Sequence, residues 1–91
     1  MSWNATSWAW DQEIPAREKV LLTALAHMSN PSTGDTWPSQ DALSRRTGLP
    51  SSALREALRE LEARGLITLR HRGLHGHVPG YHLNEETSPR A

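Results

Sequence analysis

The stretch of this chain that decides its fold runs from residue 38 to residue 69 and reads PSQDALSRRTGLPSSALREALRELEARGLITL. Ser39 is a good N-cap, and the short helix that follows it is predicted to end near Thr47. Gly48 favours a sharp turn because glycine adopts a positive φ at the lowest cost. Pro50 stops the helix that begins after Ser39 from continuing. Leu49 is the apolar anchor of the turn.

A second helix and a hairpin follow the turn. Ser51 is predicted to cap this helix, which reaches about Arg64, and Gly65 is its C-terminal cap. Four apolar residues spaced i, i+3, i+4, i+7 form its buried stripe: Leu54, Ala57, Leu58 and Leu61. Residues 66–71 alternate as a strand, residues 78–83 form a weaker strand, and the loop 72–77 carries two glycines. The sequence thus predicts a mainly α fold with a small β-hairpin wing, a winged helix-turn-helix.

Such a unit presents the start of its second helix to the major groove of DNA. Once the apolar stripe faces inward, Ser51, Ser52, Arg55 and Arg59 must point outward. Hydroxyl and free N–H groups at a helix start bind phosphate, and an arginine one turn later can bond guanine. The alternative is that both arginines pair with Glu56, Glu60 or Glu62 on a solvated face.

Two families show the same pattern. Residues 54–67 are similar to the recognition-helix signature of GntR-type transcription regulators. Residues 37–40, with the Trp-rich N-terminus and the first helix, resemble the winged-helix domains of phage and plasmid replication initiators and small phage regulators. Together the resemblances cover about residues 8–83. These resemblances imply that Ser39 begins the helix that precedes the recognition helix. They also imply that the loop 72–77 is a wing over the adjacent minor groove.

The N-terminal thirteen residues carry three of the four tryptophans, Trp3, Trp8 and Trp10. Trp8 and Trp10 have the period of a strand, whereas Trp3 and Trp10 share one face of a helix, so the sequence leaves both open. This indole surface can pack on the first helix or form a dimer interface.

The first helix is predicted to open at Pro15. Its apolar stripe is Val20, Leu21, Ala24, Leu25 and Met28, and its solvated side is Arg17, Glu18, Lys19 and Thr23. We therefore divide the chain into a Trp-rich segment (1–13), a winged helix-turn-helix domain (14–83) and a disordered tail (84–91).

Composition narrows the function further. The 91 residues have no net charge and no cysteine, which excludes disulfides and thiolate ligands. No export signal and no apolar run of membrane-spanning length is visible, so we expect a cytoplasmic protein. Charge is uneven, because residues 45–72 hold seven arginines against three glutamates. A basic face of this kind can bind a phosphate backbone.

Four histidines, His71, His75, His77 and His82, lie around the predicted wing. Three of them could in principle ligate zinc or nickel, but no cysteine or nearby aspartate completes a ligand set, so we expect no metal and no cofactor. These histidines are expected to line the DNA surface instead. No catalytic constellation is visible, so we expect no enzyme.

We therefore predict a protein that binds double-stranded DNA and regulates transcription, as a homodimer because one recognition helix covers only a few base pairs. The alternatives are a replication or partition factor and a winged-helix module for protein interaction. The candidate dimer residues are the three N-terminal tryptophans. The candidate DNA-contacting residues are Ser39, Gln40, Arg46, Ser51, Ser52, Arg55, Arg59, Arg70, Arg72, His75 and His77.

Overall fold

A computed structural model describes residues 3–71 and 79–85, and for Trp3, His71 and Pro79 it describes the backbone alone. Within these residues the helices are α1 (Trp3–Asp11), α2 (Ala16–His27), α3 (Gln40–Thr47) and α4 (Ser51–Ala63), and the strands are β1 (Asp35–Thr36), β2 (Ile67–His71) and β3 (Pro79–Leu83). The predicted class, mainly α with a small antiparallel β element, is confirmed. No helix in the described part of the chain has the length and apolar character needed to cross a membrane.

Helix α2 lies at the centre of the core, with α1, α3 and α4 all packed against it. Its Leu21, Leu22 and Leu25 are fully buried. The predicted stripe of α4 is confirmed, since all four of its residues are buried. These leucines meet Leu43 of α3 and Leu83 of β3 in one continuous cluster.

The predicted stripe of α2 is wrong in part. Val20, expected inside, is 45% exposed, whereas Leu22 and Ala26 are fully buried. Glu18, expected in solvent, is also buried, with its carboxylate 3.4 Å from Arg17 Nε. The reason is that helices contact α2 on more than one side, so the buried arc is rotated relative to the stripe that periodicity alone suggests.

The sheet has the order β1-β3-β2, with both pairs antiparallel. The chain forms a short paired strand at Asp35–Thr36, directly before Trp37 and Pro38. Asp35 pairs with His82 and Thr36 with Tyr81. This third strand fastens the hairpin to the loop that follows α2, so the hairpin has a fixed place beside the helices.

Gly80 of β3 lies under the indole of Trp37. A Cβ atom built on Gly80 would stand 2.2 Å from Trp37 Cε3, closer than any real contact allows. Only glycine therefore lets this ring cover the strand.

We expect Gly80→Ala to destabilise the domain by about 1–3 kcal/mol, because the added methyl group must displace a large packed ring. Urea unfolding of the single variant and of Gly80→Ala in a Trp37→Ala background tests the cause. The penalty should largely vanish once the indole is gone. An equal penalty in both backgrounds would place the strain elsewhere.

Tyr81, the single tyrosine of the chain, is buried on β3. Burial raises the pKa of its hydroxyl above the ordinary value of 10.0, and the charge of Glu62 raises it further. The folded protein thus holds the phenolic proton more tightly than the unfolded chain does. Its contribution to stability is complete below pH 10.0 and is lost as the pH rises toward the raised pKa of the folded state.

We therefore expect the free energy of unfolding to fall above pH 10 more steeply in the wild type than in Tyr81→Phe, which has no proton to lose. Urea unfolding at a series of alkaline pH values measures both slopes. Parallel curves would show that other groups cause the alkaline loss.

Candidate nucleic-acid interface

The turn between α3 and α4 is held by side chains as well as by its glycine. Gly48 has φ 76°, the left-handed conformation that the sequence predicted, and its N–H donates to the Ser44 carbonyl. Ser44 Oγ donates to the Leu49 carbonyl at 2.8 Å. Thr47 Oγ1 donates to the Leu43 carbonyl at 2.7 Å and accepts from the Leu49 N–H at 3.1 Å. These bonds fix the angle at which α4 leaves α3.

The starts of the two helices differ. Ser39 caps α3 as predicted, its hydroxyl accepting from the Ala42 N–H at 3.0 Å. The expectation that Ser51 caps α4 is wrong. Pro50 occupies the N-cap, with extended backbone, and Ser51 is the first helical residue. Because Pro50 has no side-chain acceptor, the first turn of α4 has no side-chain cap, and both Ser51 and Ser52 are exposed.

The outward face of α4 carries the predicted arginines, Arg55 and Arg59, both exposed. Successive residues of a helix are rotated by about 100° around its axis, so the Arg55 and Arg59 side chains project in directions that lie between those of Glu62 and Glu56. Glu62 lies near enough to Tyr81 of β3 to act on its pKa, and Glu56 bonds Arg17 at the start of α2. The two arginines thus face solvent between the sheet side and the α2 side of the helix.

Two of the three glutamates of α4 that were the alternative partners are engaged elsewhere. Glu56 pairs with Arg17 at 3.2 Å, and Glu60 with Arg64 at 3.4 Å. Within residues 3–71 and 79–85, no ion pair involves Arg55 or Arg59. Sequence reasoning missed Arg17, because its partner lies 39 positions away and no local pattern marks it.

Three other candidates lie on α3 or directly before it. Ser39 and Gln40 are exposed at its start, although the Ser39 hydroxyl is already used as the cap. Near its end, Arg45 pairs with Asp41, one turn earlier. Arg46 is exposed and, in the described part of the chain, makes no ion pair. It borders a groove between α1 and α2, so it projects from a different flank than the start of α3 does.

Arg70, a candidate on β2, is held by an aspartate that the sequence did not single out. Its Nη1 donates to both carboxylate oxygens of Asp35, at 3.1 and 3.3 Å. His82 Nδ1 lies 2.7 Å from the same carboxylate. The Asp35 side chain is only 17% exposed. Asp35, Arg70 and His82 therefore form a polar cluster that joins all three strands. The alternating pattern of each strand in the sequence does not indicate that these three side chains meet.

The remaining wing candidates, Arg72, His75 and His77, lie outside the described residues, as do the loop 72–78 and the tail 86–91. Among the residues that the structure does describe, no group of three His, Cys, Asp or Glu side chains could hold a metal ion.

The N-terminal tryptophans lie on a helix, one of the two alternatives, strand or helix, that the sequence left open. Trp8 is half-buried and packs against the core, while Ala5 and Ala9 of the same helix are fully buried. Trp10 is 65% exposed. The segment therefore packs on its own domain through one face and leaves the Trp10 indole in solvent.

The part of this site on α3 and α4 lies within a recognisable unit. A family model described as a helix-turn-helix domain matches residues 12–67, from just before α2 to the start of β2. The chain belongs to the helix-turn-helix domain family. Searches of curated proteins and of solved structures gave no match. Helix-turn-helix domains typically bind DNA and are not enzymes, and family membership at this level does not separate the GntR-type branch from the replication-initiator branch.

The Asp35–Arg70 contact should contribute more than an ordinary surface pair. A double-mutant cycle with Asp35→Asn and Arg70→Gln, followed by urea unfolding, should give a coupling energy near the upper end of about 0.2–1 kcal/mol, because Asp35 is largely desolvated. The exposed pair Asp41–Arg45 is the matched control and should give less. Equal coupling in the two cycles would mean that burial of Asp35 adds nothing.

Proposed function

We propose that this protein binds double-stranded DNA sequence-specifically through the start of α4 and regulates transcription in the cytoplasm as a homodimer. One observation supports this most directly: Arg55 and Arg59 are exposed on the outward face and have no ion pair with any described residue, while Glu56 and Glu60 are engaged with other arginines. A solvated face with alternating charges would have paired these residues along the helix. The face that is left is suited to an anionic partner.

The residues of this face would divide into two roles. Ser51 and Ser52, with the uncapped N–H groups of the first turn, suit a phosphate, because a helix N-terminus favours anions. Arg55, one turn in, would reach base edges and donate two bonds to guanine, whereas Arg59 would contact a phosphate. Phosphate contacts fix the register of the protein and base contacts supply the specificity.

A second group of residues would extend this footprint. Ser39 and Gln40, exposed at the start of α3, are placed to meet the neighbouring backbone. Arg70, held by Asp35 near the loop end of the hairpin, would carry the contact toward the wing residues Arg72, His75 and His77. Such contacts add affinity in a salt-dependent way but little specificity.

The small number of base-reading side chains is the argument for a homodimer. A single α4 offers one well-placed arginine for base recognition, worth about 1–3 kcal/mol of discrimination. A two-fold dimer doubles these contacts and reads two half-sites about 34 Å apart, one turn of the double helix.

The test is selection of bound sequences from random duplex DNA, followed by titration of the selected site. We expect Arg55→Ala to weaken binding to that site by about 10- to 100-fold and to relax specificity at one base pair, the loss of one bidentate contact. Arg59→Ala should weaken binding to all sequences and lower the salt slope by about one unit.

Arg64→Ala is the matched control, since this arginine follows the last residue of the same helix and is paired with Glu60. It should bind nearly as the wild type does. An equal loss in Arg55→Ala and Arg64→Ala would contradict the assigned roles. An isolated inverted repeat as the selected site supports a regulator, and cooperative binding to tandem repeats indicates a replication or partition factor. If the protein binds no duplex even at low salt, the remaining interpretation is a winged-helix module for protein interaction.

A further inference from the structure

The Arg17 side chain joins two carboxylates, one buried and one on the outward face of α4. Its Nε donates to Glu18 Oε2 at 3.4 Å, and its Nη1 donates to Glu56 Oε2 at 3.2 Å. The side chain of Glu18 is 7% exposed, that of Arg17 39% and that of Glu56 65%. The ion pairs therefore run from the interior, through Arg17, to the helix that the proposed function assigns to DNA.

Glu18 keeps Arg17 in place. A buried carboxylate without a cation is strongly unfavourable, and within residues 3–71 and 79–85 Arg17 is the one basic residue that pairs with it. A guanidinium is planar and carries N–H groups on more than one edge, so it can bond Glu18 and Glu56 at the same time. The buried carboxylate thus orients the arginine that reaches α4.

Glu56 lies where a free carboxylate would oppose DNA binding. It follows Arg55 directly, and the side chains of Ser52, Glu56 and Arg59 project within about 60° of one another around the helix axis. A negative charge on this face repels phosphate groups. Pairing with Arg17 offsets the Glu56 charge from outside α4.

The sequence of α4 determines what Glu56 would do without Arg17. Side chains three or four positions apart on a helix face each other. For Glu56 these neighbours on α4 are Ser52, Ala53, Arg59 and Glu60. Arg59 is the single cation among them, and Glu60 repels the carboxylate. A Glu56 side chain released by Arg17 would therefore pair with Arg59.

We propose that Arg17 is a positioning residue for DNA binding. It holds the Glu56 carboxylate on the α2 side and so leaves Arg59 free for a phosphate, without contacting DNA itself. The proposal rests on the proposed function, which places Arg59 on the DNA backbone. It makes a residue of α2, outside the helix-turn-helix proper, responsible for the state of the outward face of α4.

Titration of the selected duplex with Arg17→Gln, Glu56→Gln and the double variant tests this role. Arg17→Gln should weaken binding by about 2- to 5-fold, the extent to which a surface ion pair between Glu56 and Arg59 competes with a phosphate. It should also lower the salt slope by up to about one unit. Glu56→Gln should bind at least as tightly as the wild type. The double variant should bind as Glu56→Gln does, because an uncharged amide does not capture an arginine.

A second background removes the effect of Arg17→Gln on folding. This variant leaves the buried Glu18 without a cation, so the same comparison is repeated with Glu18→Gln present throughout. Circular dichroism confirms that each variant is folded. Rescue by Glu56→Gln is specific to positioning, because a loss of binding caused by damage around Glu18 would persist when the Glu56 charge is removed.

The capture of Arg59 is also measurable without DNA. In the free protein, Arg17→Gln should slow the exchange of the Arg59 Nε–H with water, measured by NMR, by about 2- to 5-fold. Glu56→Gln should abolish this slowing. Arg64→Gln is the matched control, since it releases Glu60, which has no other cation three or four positions away on α4. It should change neither the Arg59 exchange rate nor DNA binding.

The results distinguish this role from the proposed function. An equal loss from Arg17→Gln with and without the Glu56 carboxylate would show that Arg17 acts on DNA directly or through net charge, and would overturn the positioning role. Unchanged Arg59 exchange in Arg17→Gln would overturn it too, while DNA binding stands. Relaxed preference for a cytosine in Glu56→Gln would make Glu56 itself a base-reading residue and contradict the proposal. A wild type that binds no duplex refutes the proposed function and this role with it, whatever the exchange rates.

Discussion

The burial of α2 is the constraint on which the other helices depend. Because α1, α3 and α4 all pack against it, the core leucines of α2 determine where each of those helices can lie. The turn at Gly48 then fixes how α4 leaves α3. Because the buried stripe of α4 packs against α2, the rotation of α4 about its own axis is fixed, and so is the direction of its outer face. The position of Arg55 and Arg59 is thus a consequence of packing, and substitutions deep in α2 would act on the candidate interface through the orientation of α4.

The sequence predicted best those elements whose signals are local. Ser39, Gly48 and the leucine stripe of α4 each act within one or two helical turns, and the structure has the cap, the positive φ and the buried face that they imply. The buried arc of α2 depends on which neighbours surround it, so periodicity placed Val20 on the wrong side. Strand β1 has two residues, too short to alternate, and exists because β3 pairs with it.

The candidate site divides in the same way. That Arg55 and Arg59 face outward follows from helix geometry and was predictable. That Glu56 does not pair with them was not predictable, because its partner Arg17 lies 39 positions away in the sequence. Likewise Asp35 and Arg70 are 35 positions apart and meet only across three strands. Local charge patterns on a helix therefore leave open which residues are free to bind a ligand.

The ion pairs of the described residues show which arginines of this neutral chain are already neutralised. Several acids each hold a particular arginine: Asp35 holds Arg70, Asp41 holds Arg45 and Glu60 holds Arg64. The arginines left unpaired among the described residues lie on the outer face of α4 and beside the groove. A neutral protein has little long-range attraction for DNA, so the proposed recognition would depend on short-range contacts on the outer face of α4. In the proposed homodimer these contacts would be doubled, which would compensate for weak steering.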